Sequence, residues 1–585
     1  MGREFSDPGS HIEPLKRLSA RIEDENESKA RFMRWVRGHL ESRFEHPVGG
    51  KPHVGHHFLG LPQGKRCRQS PPFSVAEINP QISEGEARFE RRRQQAGFVL
   101  APLIFVLLYF IPTPGLSPEA HRLLAVLGGV VTLWLTEAIP MAITALLGPA
   151  VCVVLQIAPP KEVFRGFGDP ILFLYLGGFL IAEAMLEHGL NRRIAFRILG
   201  LPKVGESPTL LLLAFAVITG FISMWVSNTA TTAMMFPIGI AILTEMARLQ
   251  SARDGKQIHF TSLRYGTGLM LMAAFSSSVG GLATPVGTPP NLVGLGFLRT
   301  RLGVEIPFFN WMALGLPIAV ILIVFLVFYL SRVCPAEVGL MSGSAAWIQS
   351  ERAKLKGMSR GEKNTVVAFV VTVTLWVLPG LVAVLAGPNS DEYKWLNAHF
   401  PEAIVAVLGA SLLFALPTNL SKLEFTLSWR EARRIDWGTL LLFGGGLALG
   451  ELMFSTGLAR WIGEGLANAM QAKSTLGLVI LFTAIATIVS ETTSNLASAT
   501  MVVPVAIAVA EAAGVNPVQP ALAACFGASM GFMLPVSTPP NAIVYGSGCI
   551  PLWRMVRYGA VLDLVGFAVI VPVMTWIAPL VLKLG

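Results

Sequence analysis

Residues 223–232, SMWVSNTATT, set Ser223, Ser227, Asn228, Thr229, Thr231 and Thr232 in the middle of an otherwise apolar stretch. A second stretch, SETTSNLASAT at 490–500, does the same with Ser490, Thr493, Ser494 and Asn495. Two more polar breaks share one motif, Thr288-Pro289-Pro290-Asn291 and Thr538-Pro539-Pro540-Asn541. Paired prolines remove two N–H donors and push the preceding residue out of helical conformation. A helix must therefore break there and free its carbonyls, which Gly280-Gly281 and Gly287 let other backbone approach closely. Hydroxyls, asparagine carbonyls and bare backbone carbonyls are hard oxygen ligands, suited to a small hard cation more than to a soft transition metal. The same hydroxyls, with helix N-termini, suit carboxylates and other oxyanions.

The segments 208–247, 266–298 and 475–550 contain no Lys, Arg or His. A dianion brought there meets no cationic side chain, and helix N-termini supply only about half a charge each. Burying an uncompensated carboxylate is costly, so bound cations would both solve that problem and link anion affinity to cation binding. The same absence argues against an enzyme. Ser223 or Ser494 as a hydrolase nucleophile needs a base within reach, and none is present.

These motifs sit in a chain that is 52% hydrophobic and 14% charged, with a mean hydropathy of +0.57. Soluble domains carry about a quarter charged residues. Charge and histidine are concentrated in the first 96 residues. The remainder is a series of apolar runs long enough to cross a bilayer, which identifies an all-α polytopic membrane protein, with no nucleic-acid partner expected. The cysteines show no metal-type spacing and read as packing residues. No cleavable signal pattern precedes the first apolar run near residue 97. Residues 1–95 are expected to form a cytoplasmic extension, with an amphipathic helix near 14–45 and a Pro-, Gly- and His-rich linker over 46–83 in which His53, His56 and His57 are a solvated cluster.

Eleven spans are expected, at about 97–112, 121–140, 142–158, 170–187, 266–298, 311–332, 365–387, 402–418, 438–456, 518–549 and 559–583. The stretches 208–247 and 475–512 carry their polar residues at the centre and are expected to be re-entrant hairpins. With the N-terminus inside and the C-terminus outside, the inner loops collect Arg91–Arg93, Arg192, Arg193, Arg197, Lys354, Lys356, Arg430, Arg433 and Arg434, in keeping with the positive-inside rule. Counting either hairpin as a full span breaks that agreement.

An internal repeat organises the whole. Glu137-Ala-Ile recurs as Glu402-Ala-Ile, and Gly177-Gly178 with Glu183 and Met185 recurs as Gly445-Gly446 with Glu451 and Met453. Ser223-x-x-x-Ser227-Asn228 recurs as Ser490-x-x-x-Ser494-Asn495, and TPVGTPPN at 284–291 as LPVSTPPN at 534–541. Each half then holds five spans and a hairpin, and an odd number of spans inverts the second half. The expected division is 96–335 for the first repeat with an extra first helix, 336–364 for a cytoplasmic linker and 365–585 for the second repeat. Inverted repeats with discontinuous helices are typical of secondary transporters. Glu137, Glu183, Glu451 and Glu491, acids inside apolar segments, read first as structural hydrogen-bonding groups.

Over residues 97–585 the pair SMWVSNTAT and SETTSNLAS, with GTPPN and STPPN, resembles the divalent anion/sodium symporter family. The resemblance implies a homodimeric carrier of dicarboxylates, tricarboxylates or sulfate in the plasma (inner) membrane, moving its site by an elevator-type mechanism with sodium ions co-transported. By resemblance, Ser223, Ser227, Asn228 and the Gly287 backbone hold one sodium, and Ser490, Thr493, Asn495 and the Ser537 backbone a second. The anion, a small dicarboxylate of the succinate, malate or fumarate class, is expected among Ser227, Asn228, Thr229, Thr288, Pro289, Ser494, Asn495, Thr538 and Pro539. A sodium-independent dicarboxylate exchanger and a sulfate or tricarboxylate carrier are alternatives on the same fold. The second tip departs from Ser-Asn-Thr at Leu496, which puts selectivity in question.

Overall fold

A computed structural model of the chain describes residues 84–337, 342–387, 389–470 and 474–583. The helix expected near 14–45 and the histidine cluster of the linker lie outside these residues. Within them the chain is all-α and polytopic. The only strands described, Pro417–Asn419 and Glu424–Phe425, pair as a short antiparallel ribbon.

Local chemistry starts the helices in a recurring way. Ser117-Pro118, Asp169-Pro170 and Ser207-Pro208 each place a capping oxygen before a proline, and the oxygens accept the N–H of Ala120, Ile171 and Leu210. Proline at the first helical position lacks only a donor that the helix leaves unused. Ser359 opens the helix Arg360–Leu385 with a full capping box on Glu362.

Nine helices among the described residues are long and apolar enough to cross a membrane, or ten if the bent pair Asp391–His399 and Glu402–Ala415 counts as one span. Three of the nine are arms of the two hairpins, so length alone does not separate an arm from a span. Each of the eleven expected spans coincides with a helix or a broken helix. Boundaries differ where caps and charges decide them. The first helix, Glu84–Phe110, starts inside the expected N-terminal extension. The expected linker 336–364 contains the helix Ser342–Lys354, and the next span begins at Arg360 because of its capping box.

The hairpins are Pro208–Ser223 with Asn228–Asp254, and Thr475–Thr492 with Asn495–Ala512. The broken helices are Arg264–Gly281 with Pro289–Leu302, and Val518–Gly527 with Pro539–Tyr545. Between the double-glycine helix and the hairpin of each repeat lies a short amphipathic helix that span counting passed over, Leu190–Leu199 in the first and Leu458–Met470 in the second. Both are too short to cross the bilayer.

The two repeats are packed into each other. Helix Pro170–Glu187 of the first packs on Glu402–Ala415 of the second, and Trp437–Ser455 of the second packs on Met141–Val154 of the first. The double glycines make both contacts. A Cβ on Gly177 would stand 2.4 Å from the Ala406 carbonyl oxygen, and one on Gly445 would stand 2.1 Å from the Ala145 carbonyl oxygen. Small residues let membrane helices approach backbone to backbone, where dispersion replaces the missing hydrophobic drive. Alanine should therefore be harmful at a site where helix propensity favours it. Gly445→Ala is expected to destabilise the protein by about 1–3 kcal/mol, read as a lowered melting temperature in detergent. Gly465→Ala, where a Cβ meets nothing within 4 Å, should be neutral or mildly stabilising.

Candidate substrate and cation site

Four helices begin at the residues singled out by type and spacing. Ser227 caps Asn228–Asp254 by accepting from the Ala230 N–H at 3.3 Å, and Ser494 caps Asn495–Ala512 through the Ala497 N–H at 3.2 Å. Thr288 and Thr538 precede Pro289–Leu302 and Pro539–Tyr545 in matching extended conformations, φ −145° with ψ 144° and φ −145° with ψ 146°. The prolines thus begin the second half of each broken helix, while the first half has already ended at Gly281 or Gly527. All four N-termini are positive ends of helix dipoles, but only the two hairpin arms start with backbone N–H groups; the proline-led helices lack theirs at the first two positions.

Each hairpin tip is tied in the same way. Ser223 donates its hydroxyl to Asn228 Oδ1 at 2.8 Å. Ser490 Oγ lies 2.8 Å from Asn495 Oδ1 and 2.6 Å from the Ala528 carbonyl oxygen. The broken helix closes over the tip at a glycine. A Cβ on Gly281 would stand 2.6 Å from Asn228 Oδ1 and 3.0 Å from the Gly287 carbonyl oxygen. One on Gly531 would stand 3.1 Å from Ser490 Oγ and 3.2 Å from Asn495 Oδ1. Hydroxyl, amide and backbone oxygens therefore lie close together within each repeat. Thr493 donates to the Val489 carbonyl at 2.8 Å, and Ser537 Oγ lies 2.9 Å from the Glu491 carbonyl oxygen.

The residues fall into two layers. Ser223, Gly287, Ser490, Thr493 and Ser537, the expected cation ligands other than the tip residues, are buried, and so are Thr288 and Thr538. Ser227, Asn228, Pro289, Ser494 and Asn495 are half-buried, and Thr229 and Pro539 are exposed. The repeats also exchange partners here. Asn228–Asp254 packs on Pro539–Tyr545, and Asn495–Ala512 packs on Pro289–Leu302. Leu496 differs from its counterpart Thr229 in more than polarity: it is 6% exposed and lies within the apolar core.

Three residues outside the expected set hold this geometry. Asn291 donates both amide hydrogens across its break, to the Gly281 carbonyl at 3.0 Å and the Thr284 carbonyl at 2.8 Å. Asn541 repeats the arrangement with Gly531 and Leu534, both at 3.0 Å. Both carbonyl oxygens, Asn291 Oδ1 and Asn541 Oδ1, are buried and receive no hydrogen bond. The Pro-Pro-Asn ending of both motifs was the available signal. The third is Glu491, 3% exposed. It accepts from the backbone N–H groups of Phe532 at 2.7 Å, Met533 at 2.9 Å and Leu534 at 3.3 Å, and from the Ser537 hydroxyl at 2.8 Å. In the first repeat the corresponding position is Met224, whose carbonyl accepts from Thr284 Oγ1 at 2.5 Å. There Leu282 and Ala283 N–H groups bond back to Val279 and Gly280 within the chain. The second break spans more residues and leaves its amides to a carboxylate.

The other acids in apolar segments also have structural surroundings. Glu137 pairs with Arg93 at 3.4 Å, and Glu183 lies 3.8 Å from Arg434. Asp563 is the exception. It is 7% exposed and lies against Glu491, carboxyl to carboxyl.

Charge-assisted hydrogen bonds contribute roughly 1.5–3 kcal/mol each, so Glu491 is the side chain on which the second break most depends. Glu491→Ala should lower stability by at least about 3 kcal/mol, read as a large drop in melting temperature. Thr492→Ala, next to it and exposed, should leave the melting temperature within a degree or two of the parent.

The chain matches the family described as the sodium:sulfate symporter transmembrane region over residues 92–583. It is 35% identical over 494 residues to the sodium-dependent dicarboxylate transporter SdcS of Staphylococcus aureus (strain bovine RF122 / ET3-1), covering 84% of this chain and 92% of that protein. It is 34% identical over 492 residues to the protein of the same name from Staphylococcus saprophyticus, at the same coverage. Among solved structures it is similar to Neisseria gonorrhoeae MtrF, with a TM-score of 0.48 and 16% identity over 82% of this chain and 94% of that one. With its paired Ser-Asn tips and paired Pro-Pro-Asn breaks inside the matched region, this protein belongs to the sodium:sulfate symporter family, that of the divalent anion/sodium symporters.

Proposed function

We propose that the protein couples sodium entry to uptake of a small dicarboxylate of the succinate, malate or fumarate class. The observation that carries this reading is an oxygen cluster in each repeat, built from Ser223 and Asn228 and from Ser490 and Asn495, with no Lys, Arg or His in the segments that form it. The unbonded oxygens of Asn291 and Asn541 add to the acceptor excess. Acceptor-rich, base-free surroundings favour a cation, and a dianion is tolerable beside them only once cations are bound. The related transporters named for sodium-dependent dicarboxylate transport support the same assignment.

In this reading the buried layer, together with the half-buried tip residues, holds sodium. Ser223, Ser227, Asn228 and the Gly287 carbonyl form one site, and Ser490, Thr493, Asn495 and the Ser537 backbone form the other. The more accessible layer receives the anion. Asn228 and Asn495 serve both, since an amide offers its carbonyl to a cation and its N–H to a carboxylate. Thr229 adds a hydroxyl, and the four helix N-termini add partial positive charge. The anion is released where sodium leaves, because the charge that makes its burial tolerable has gone. The two hairpins and two broken helices move together across the bilayer as an elevator, between inward and outward faces set by an N-terminus in the cytoplasm and a C-terminus outside. The protein works as a homodimer in the plasma membrane, and its chemistry is transport without catalysis.

The test is uptake of radiolabelled succinate into proteoliposomes. Uptake should require a sodium gradient and fall to background when choline replaces sodium. Equal uptake in choline, with a requirement for internal dicarboxylate, would establish an exchanger instead. Excess malate should compete and sulfate should compete far less; the reverse order would reassign the substrate. Asn228→Ala and Asn495→Ala should each cut uptake at least about tenfold, the loss expected from one charged hydrogen bond, while the protein still inserts in the membrane. Near-parent uptake by both variants would remove these residues from the site.

A further inference from the structure

A basic cavity lies outside the proposed transport site, where the first repeat meets the linker. A cavity of about 470 Å³ is lined by Arg193, Arg197, Arg352, Lys356, Leu201 and Met358, among others. Its floor is a fixed charge. Arg193, 8% exposed, makes a two-pronged ion pair with Glu362, Nε to Oε1 at 2.5 Å and an Nη to Oε2 at 3.0 Å. The same guanidinium donates to the Lys356 carbonyl at 2.8 Å, which holds the loop after Ser342–Lys354 against the helix Leu190–Leu199. On the opposite wall Arg352 donates to the Gly200 carbonyl at 2.8 Å, and Gln349 donates to the same oxygen at 3.1 Å. Arg192 and Glu351, paired at 2.9 Å, brace these two helices further.

Two cations in this cavity are left over. Arg197 and Lys356 are exposed, and neither side chain makes a hydrogen bond or ion pair among the described residues. They come from the two elements that Arg193 clamps together. Four basic side chains against the single carboxylate of Glu362 leave the cavity strongly positive. Guanidinium and ammonium groups held around one opening are the donor set for phosphate oxygens. The rim is apolar. Leu201 is 51% exposed, and the chain runs on from it into Pro208–Ser223, where Leu210, Leu213, Val217 and Phe221 are exposed on one face. Those exposed positions follow a helical spacing and present apolar side chains where hydrocarbon would lie. A basic pocket with an apolar rim at the end of membrane helices matches a phospholipid, headgroup in the pocket and acyl chains along the helix.

We propose that this cavity binds the headgroup of an anionic phospholipid, with Arg197 and Lys356 as its principal ligands. The bound lipid joins the helix that leads into the first hairpin to the linker between the repeats. It therefore steadies that junction without touching the substrate, and the assignment does not depend on which anion is carried.

The experiment uses the full chain, purified in a neutral detergent, with lipid retention measured by native mass spectrometry and melting temperature measured alongside. Phosphatidylglycerol, phosphatidylcholine and inorganic phosphate are the probes, and the variants are Arg197→Ala, Lys356→Ala and the pair. The parent should retain phosphatidylglycerol over phosphatidylcholine by about tenfold or more, as two basic side chains near an anionic headgroup imply, and only phosphatidylglycerol should raise its melting temperature. The double variant should fold and melt like the parent in detergent alone but lose the preference. Inorganic phosphate raising the melting temperature as far as the lipid at equal concentration would overturn the lipid and leave a soluble anion in its place. A preference undiminished in the double variant would overturn the site.

Discussion

A backbone N–H or C=O cannot be left bare in hydrocarbon, and this chain interrupts its apolar helices at four places, two hairpin tips and two broken helices. Everything distinctive about the structure answers that constraint. Each break needs replacement partners, and the chain supplies them from side chains whose own polar groups would be equally costly to bury alone. Asn291 and Asn541 take two carbonyls each. Ser227 and Ser494 cap the returning arm of each hairpin. The prolines at the starts of Pro289–Leu302 and Pro539–Tyr545 remove donors that would otherwise need partners. Once these bonds are made, a surplus of acceptor oxygens remains. A surplus of acceptors is what a cation satisfies, so the scaffold's solution to its own backbone problem and the proposed chemistry of the site have a common origin.

The two repeats solve the problem differently, and the difference is informative. The first break is short, and its amides turn back on nearby carbonyls of the same segment. The second is longer and gives its Phe532, Met533 and Leu534 amides to Glu491. One half therefore carries a carboxylate where the other carries Met224, with Asp563 against it. Thr229 and Leu496 differ in the same sense: one is open and polar, the other buried and apolar. A site assembled from such halves is symmetric in backbone and asymmetric in charge. Several ion pairs sit close to helix ends, where Arg193 meets Glu362, Arg299 meets Asp169 and Arg434 meets Glu187. Such pairs tie elements distant in sequence together near the level where water is available, so their desolvation is smaller than at mid-membrane.

The sequence by itself determined the class, the repeat and the motif residues. Apolar length specifies spans, the recurrence of Ser-Asn and Pro-Pro-Asn specifies which residues correspond, and paired prolines specify where a helix resumes after a break. These are local properties, readable without neighbours. It did not determine what each half packs against. That Gly177 sits on Ala406 while Gly445 sits on Ala145, and that each hairpin arm lies on the other repeat's broken helix, are contacts between residues far apart in the chain. The short amphipathic helices Leu190–Leu199 and Leu458–Met470 escaped span counting because they lie below the length that hydropathy detects. Glu491 and Asn541 could be seen as polar residues in apolar runs, but their partners are backbone groups, which carry no sequence signal. Only the tertiary structure decided that Leu496 is core and that Arg197 and Lys356 share one cavity, because burial and charge proximity are properties of the packed chain and not of any one segment of it.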